Sequence, residues 1–273
     1  MTDQEARYDR IARGYARWWA PVLRPTAIQV LDRLEPVVAG GARSLLDLGT
    51  GTATLAIEAI RRWPTVDVTG IDASREMAAA AEGEADRLLS AADRSRFRTR
   101  VAYADELPFD DASFDAAMSS FVLQLVPSRA AVMDELWRVL KPGATFAHVT
   151  WVRGGRAYRP DQEFDAALDD VEIEPREYDG RGGDFASVDA AASGLRKAGF
   201  RQVRAFGGEL TYDFDVRSYV GFMEEFDEED LFQSLEPDVR ERLHARLLER
   251  LNRLPDEAFV LRLPVVHAEG VRP

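Results

Sequence analysis

The sequence predicts an α/β fold, a mostly parallel sheet covered by helices on both faces. Three observations carry this. Short apolar segments alternate with segments of helical periodicity between residues 44 and 152. The first apolar segment runs into a glycine turn and then a helix, the order of a β-α-β unit with its right-handed connection. A length of 273 residues with 46% hydrophobic composition is enough to give such a sheet a substantial core, as one well-packed domain or two small ones.

YDRIARGYARWWAP (8–21) is rich in aromatic residues and TAIQVLDRLEPVV (26–38) has apolar positions at helical spacing, so two helices are expected, separated by Pro21 and Pro25. SLLDLG (44–49) is a short strand, GTATLAIEAIRRW (51–63) a turn running into a helix, and VDVTGIDAS (66–74) the next strand and its end. The turn FDDAS (109–113) precedes the strand FDAAMSSFVLQLV (114–126). Ser128 is the expected N-cap of the helix in SRAAVMDELWRVLKPG, and Pro142-Gly143 its expected stop. ATFAHVTWV (144–152) is a further strand. Residues 153–186, with GG at 154–155 and GRGG at 180–183, break the rhythm and are expected to form a lid or insertion. Ser187 caps a helix running through Lys197, and the strand-like segments FRQVRAF (200–206) and ELTYDFDV (209–216) follow. The acidic run at 224–230 is expected to be a solvated face, and Val239, Leu243, Leu247, Leu251 and Leu254 mark an amphipathic helix. FVLRLPVVHA (259–268) is the final strand, with Pro264 favouring an edge position or a bulge.

Composition removes several chemistries. The chain has no cysteine and three histidines, which rules out thiolate zinc sites, cysteine nucleophiles and disulfides and leaves little for a metal centre; no metal is expected. Its 48 acidic residues against 35 Lys and Arg give a net charge of −13, a field that opposes nucleic acid and anionic membrane, so neither is an expected partner. The first residues, MTDQEARYDR, lack the basic and apolar regions of a secretory signal. No apolar run approaches the roughly 20 residues of a membrane span. A cytoplasmic protein is expected, and a homo-oligomer is compatible with all of this.

DLGTGTATL (47–55), between a strand and a helix, carries the strongest chemical signal. Gly49 and Gly51 permit a tight turn and close backbone approach, and the helix that follows exposes unpaired amides toward a polar ligand. Asp72, at the end of the next strand, can accept from both hydroxyls of a ribose. The turn and Asp72 alone also fit a dinucleotide-binding dehydrogenase.

With the later LPFDDASFDAAMSSFVLQLVP and ELWRVLKPGA, however, the chain resembles the class I S-adenosylmethionine-dependent methyltransferases, particularly the small-molecule branch, strongly over about residues 40–151. That resemblance implies a Rossmann-like fold with a seven-stranded sheet whose last strand is antiparallel, in a single domain over 1–273. Its parts would be an N-terminal helical cap (1–38), a cofactor-binding core (39–152), the lid (153–186) and the C-terminal half of the sheet (187–273). The cofactor implied is S-adenosylmethionine. Asp47, Gly49, Thr50 and Gly51 would surround its methionine and ribose, Asp72 would hold the ribose hydroxyls, and Ala73, Ser74 and Met77 would lie on the adenosine side. Ala104, Asp105 and Glu106 would approach adenine, Ser120 would face the cofactor, and Tyr15 and Trp19 would cover it. Three positions depart from the family pattern: Ala53 stands at a usual glycine, Tyr103 at a usual aspartate and Gln124 at a frequent histidine.

The implied reaction transfers a methyl group to an oxygen or nitrogen of a small molecule. Holding donor and acceptor in line needs neither metal nor covalent intermediate. Phe121, Gln124 and Trp151 are the candidate acceptor-binding residues, and His148 and Gln124 the candidate catalytic ones, His148 as general base. Arg153, Arg156 and Arg159 could receive a carboxylate or phosphate. His244 and His267 have no spacing that points to a metal. The alternatives are a noncatalytic binding protein on the same fold, associating through an apolar strip in 212–254, and a methyltransferase of nucleic acid or protein.

Overall fold

A computed structural model describes residues 3–174 and 183–273. The chain opens with α1 (Asp3–Gly14), a wide π-type turn at Tyr15–Trp19, α2 (Ala20–Ala27) and α3 (Val30–Ala39). There follow β1 (Ser44–Leu48), α4 (Thr54–Arg62), β2 (Asp67–Asp72), α5 (Arg75–Leu88), α6 (Ala91–Arg94), β3 (Phe97–Val101) and β4 (Phe114–Ser120). Then come α7 (Arg129–Val139), β5 (Leu140–Trp151), α8 (Arg159–Asp170), α9 (Val188–Lys197), β6 (Arg201–Asp213) and α10 (Val216–Phe222). A second wide turn at Met223–Asp227 leads to α11 (Glu229–Ser234), α12 (Pro237–Leu251) and β7 (Val260–Val271).

The seven strands form one sheet in the order β3-β2-β1-β4-β5-β7-β6. The first five are parallel, and β7 runs antiparallel between β5 and β6. This is the expected Rossmann-like architecture. Two apolar clusters cover the faces, one built with α2, α3, α4, α8 and α12, the other with α7 and α9. Period-two alternation divides β5 between them: Ala147, Val149 and Trp151 join the first cluster and Phe146 the second. Central β1 is flanked on both sides, so Leu45, Leu46 and Leu48 are fully buried, and Asp47 is the one charged side chain buried among them. Among the described residues no helix is long and apolar enough to cross a membrane.

Several boundaries differ from expectation, each for a local reason. Pro21 and Pro25 do not separate two helices; both lie within α2. Pro21 occupies the first turn, where no N–H is needed, and Pro25 forfeits one bond, so the chain turns only at Ile28–Gln29. β4 ends at Ser120 because Phe121 adopts φ 56°, starting a turn closed by Leu125 N–H donating to the Val122 carbonyl. α7 stops at Val139, and Pro142-Gly143 lies inside β5, where the Gly143 N–H donates to the Arg272 carbonyl.

β6 joins most of the segments 200–206 and 209–216 into one 13-residue strand that ends at Asp213, Asp215 and Val216 instead capping and starting α10. β7 is internal, which overturns the edge expected from Pro264. Val152 N–H donates to the Pro264 carbonyl on the rung just past Trp151–Val265, so the missing N–H costs only the last bond of that ladder. The stretch 153–186 is not loop throughout: α8 buries Phe164, Ala167 and Leu168, and its Asp170 takes bonds from Arg246 and Arg250 at 2.6 and 2.7 Å. Positions 180–182 of the GRGG motif lie outside the described residues.

Candidate functional site

Between β1 and α4 the backbone turns through three left-handed residues, Gly49 (φ 69°), Gly51 (φ 54°) and Ala53 (φ 61°). Ala53 adopts the conformation that favours glycine, so its methyl carries a backbone cost of about 1–2 kcal/mol. A Cβ on Gly49 would lie 2.3 Å from a methyl of Val122, which is why the backbone can approach there. The loop is pinned by Thr50 N–H donating to the Ile71 carbonyl at 2.7 Å and by Thr50 Oγ1 donating to Asp47 Oδ2 at 2.8 Å. Gly51 N–H then donates to Asp72 Oδ2 at 2.9 Å and Ser74 N–H to Asp72 Oδ1 at 3.0 Å. The two carboxylate oxygens keep acceptor capacity beside these N–H groups for the hydroxyls of a sugar, and the residues present fit a ribose.

Both carboxyl groups feel their burial. It pushes Asp47 up to about 7 against the bonds from Thr50 and the Ala56 N–H, and the neighbouring Asp72 adds to the push. Asp72 is raised by burial, opposed by the N–H groups of Ser74, Gly51 and Ala73 and reinforced by Asp9. A cationic ligand here would stabilise two carboxylates that the protein alone holds at a cost.

The N-terminal arm lies over this turn. Tyr15 Oη is 3.7 Å from where a Cβ of Gly51 would be, and burial, with Tyr8, Asp72 and Asp47, raises its hydroxyl well above the ordinary value. Asp9 on α1 accepts from Ser74 Oγ at 2.5 Å, tying the arm to the start of α5. Trp19 stacks on Phe226 with centroids 5.7 Å apart, lies 5.1 Å from Phe222, and faces Trp151 at 6.3 Å. Trp151 in turn meets Phe121 at 4.3 Å. These rings pack as an aromatic cluster, here termed the aromatic chamber, which Tyr15, 5.8 Å from Phe226, joins to the glycine turn.

The acidic run is part of that closure rather than a solvated face. Glu225 accepts from Trp18 Nε1 at 2.8 Å and from Arg17, Asp230 accepts from Arg10 through both oxygens at 2.8 Å, and Phe226 and Glu229 are buried.

The structure thus brings together Tyr15, Trp19, Asp47, Gly49, Thr50, Gly51, Asp72, Phe121 and Trp151. Ser120 ends β4, and Gln124 follows it, its amide donating to the Phe121 carbonyl at 2.6 Å and accepting from Thr150. Ala73 and Ser74 lead into α5, where Met77 is buried. Ala104, Asp105 and Glu106 follow β3, the two acids exposed.

His148 is not brought to the chamber. It projects to the opposite face, 2% exposed between Phe146 and Phe185, and burial, with His267 and Arg129, lowers it to about 3. Among the described residues no group of three or more His, Asp or Glu could hold a metal. Sequence reasoning missed Tyr8, Asp9, Val122, Phe222, Glu225 and Phe226; the four-residue spacing of Phe222 and Phe226 was the visible trace of an inward helical face.

Residues 46–148 match the family described as a methyltransferase domain. Over 100 residues the chain is 37% identical to a ubiquinone/menaquinone biosynthesis C-methyltransferase of Geotalea daltonii, covering 36% of this chain and 41% of that protein. The chain spans about half the length, or less, of such curated relatives. It is 29% identical over 223 residues to a malonyl-acyl-carrier-protein O-methyltransferase of Geobacter sulfurreducens, covering 81% and 79% of the two chains. Among solved structures, a phosphoethanolamine N-methyltransferase of Haemonchus contortus superposes with a TM-score of 0.59 at 17% identity, over 100% of this chain and 61% of that one, a likeness of fold. The family match begins in β1 and ends in β5, and so takes in the glycine turn, Asp72 and the end of β4; this part of the chain matches a methyltransferase domain.

Proposed function

We propose that this chain is a cytoplasmic enzyme, a single domain over residues 1–273, that transfers a methyl group from S-adenosylmethionine to an oxygen or nitrogen of a small molecule. The observation that carries the reading is the convergence of the glycine turn, the Asp72 carboxylate and the aromatic chamber at one end of the sheet. S-adenosylmethionine supplies an electrophilic methyl on a sulfonium. Asp72 holds the ribose hydroxyls; Asp47, Gly49, Thr50 and Gly51 frame the methionine and ribose; Ala73, Ser74, Met77, Ala104, Asp105 and Glu106 frame the adenosine, and Ser120 faces it. Tyr15 and Trp19 close over the site and exclude water. Phe121 and Trp151 supply an apolar wall, and Gln124, held by Phe121 and Thr150, positions the acceptor.

Catalysis on this reading is orientation and desolvation in a dry chamber. It assigns no proton transfer to His148, whose ring is packed on the far face. The −13 charge supports a small-molecule acceptor over nucleic acid. The relative covered over 79% of its length is named as an O-methyltransferase, which supports an oxygen acceptor. A docking protein would need an exposed apolar strip in 212–254, but Leu243, Leu247 and Leu251 are fully buried.

The test incubates the protein with S-adenosylmethionine and panels of phenols, amines and carboxylic acids, and reads by mass spectrometry the replacement of one hydrogen by methyl. At least one panel should yield product, and Asp72→Ala should abolish it. No product from any class, with the cofactor bound, would count against the enzyme reading.

A further inference from the structure

Arg129 at the start of α7, Arg153 just after β5 and Lys197 at the end of α9 line one cavity of about 450 Å³. Phe185, which packs in the α7/α9 cluster, forms a wall; the aromatic chamber belongs to the cluster on the other face. Arg129 is preset: its Nε donates to the Leu123 carbonyl at 2.9 Å, a second nitrogen donates to the Gly183 carbonyl, and its guanidinium lies 4.1 Å over the Phe185 ring. A guanidinium fixed in this way keeps its fork oriented without further loss of side-chain freedom.

Among the described residues no carboxylate lies within ion-pair distance of Arg129, Arg153 or Lys197. Burial draws Arg129 below its ordinary value; Asp184, also on the lining, opposes the effect, and the Arg153 charge adds to it. Two guanidiniums near enough to repel, with a lysine on the same rim, are relieved by an anion between them. Their concentration in a concavity of a chain with net charge −13 focuses a local positive field against the protein's own. Ser193 adds a hydroxyl, and the Phe185 ring offers an apolar surface.

We infer that this cavity binds a small organic anion, a carboxylate or phosphate monoester with a compact apolar body. Arg129 and Arg153 hold the acid group, Lys197 supplies a third charge at the rim, and Phe185 packs on the body. Of the arginines singled out in the sequence, only Arg153 takes part; Arg159 is paired with Glu163. The inference does not depend on methyl transfer. The acid group can come from a separate ligand or from the methyl acceptor itself, since Gly183, whose carbonyl accepts from Arg129, packs so closely on the Gln124 carbonyl that a Cβ there would lie 1.7 Å from it.

The test is calorimetric titration of inorganic phosphate and of benzoate, at low ionic strength, into the native chain and into the R153E/K197E variant. Both substituted side chains are exposed, so the fold should persist, as checked by unchanged melting temperature and S-adenosylmethionine affinity. Both anions should bind the native chain and weaken by about tenfold or more in the variant. Absence of binding to the native chain, or equal binding to both chains, overturns the inference. A kinetic arm separates the sources: an acid group on the acceptor predicts a raised KM for para-hydroxybenzoate with phenol spared. A separate ligand predicts that phosphate alters both reactions alike and that the variant abolishes this.

Discussion

Trp18 Nε1 donates to the Glu225 carboxylate at 2.8 Å, while the Glu225 carbonyl fills the space a side chain at residue 14 would need: a Cβ there would lie 1.7 Å from it. The arm is therefore fastened to the Met223–Asp227 turn through both side chain and backbone. Gly14→Ala, intrinsically favourable to a helix by about 1 kcal/mol, should have the opposite effect here. We expect a lowered melting temperature and several-fold faster proteolysis between residues 3 and 27.

Raised salt should loosen the same closure. The Arg10–Asp230 pair is about half exposed, and such pairs are screened and worth about 0–1 kcal/mol. Stopped-flow association of S-adenosylmethionine should quicken modestly with salt in the native chain. It should be already faster, and less salt-dependent, in Arg10→Ala.

Asp47 sets a pH signature. Its native value, about 7, lies above the unfolded value of 3.8, so its contribution to stability is complete below 3.8 and is lost as pH rises through 7. Asp47→Asn should remove that loss and be more stable than the native chain at about pH 8, by on the order of 1–4 kcal/mol. A cationic ligand beside Asp47 favours its charged form, so binding of S-adenosylmethionine should release protons near pH 6 and almost none near pH 8.5, as read from heats in buffers of differing ionisation enthalpy.

His148 and His267 act in the opposite sense. Burial first lowers both, to about 3 and about 4, so each contributes stability above the unfolded value of 6.5 that is lost as pH falls toward those values. His148→Phe, which suits a slot between Phe146 and Phe185, should make acid unfolding less steep between about pH 6.5 and 3. It should leave the pH dependence of turnover unmoved; loss of the acid limb, the fall in turnover at low pH, in this variant would restore His148 as general base.

Gly49 combines a left-handed backbone with the contact to Val122. Gly49→Ala should destabilise the fold by roughly 1–3 kcal/mol, and adding Val122→Ala should recover the steric share but leave the backbone cost.

Asp72, Gly49 and Gly51 were legible in the sequence because a strand–turn–helix connection imposes local demands that only certain residues meet. Pro264 misled for a tertiary reason: whether its missing N–H matters depends on where β5 ends, which is set by a strand more than a hundred residues earlier. The acidic run misled because Glu225 and Asp230 find Trp18, Arg17 and Arg10 only after the chain folds back over some two hundred residues. His148 was correctly placed on a strand, yet alternation left its face open, and neighbours from distant segments, Phe185 and Arg129, decided it.

The central claim, that the Gly51–Asp72 pair holds the ribose of S-adenosylmethionine, is tested most directly by calorimetric titration of that cofactor into the native chain and into Asp72→Ala. The native chain should bind one equivalent, and the substitution, which removes two charge-assisted hydrogen bonds of about 1.5–3 kcal/mol each, should weaken binding by about a hundredfold or more. No binding to the native chain, or equal affinity in both, would contradict it.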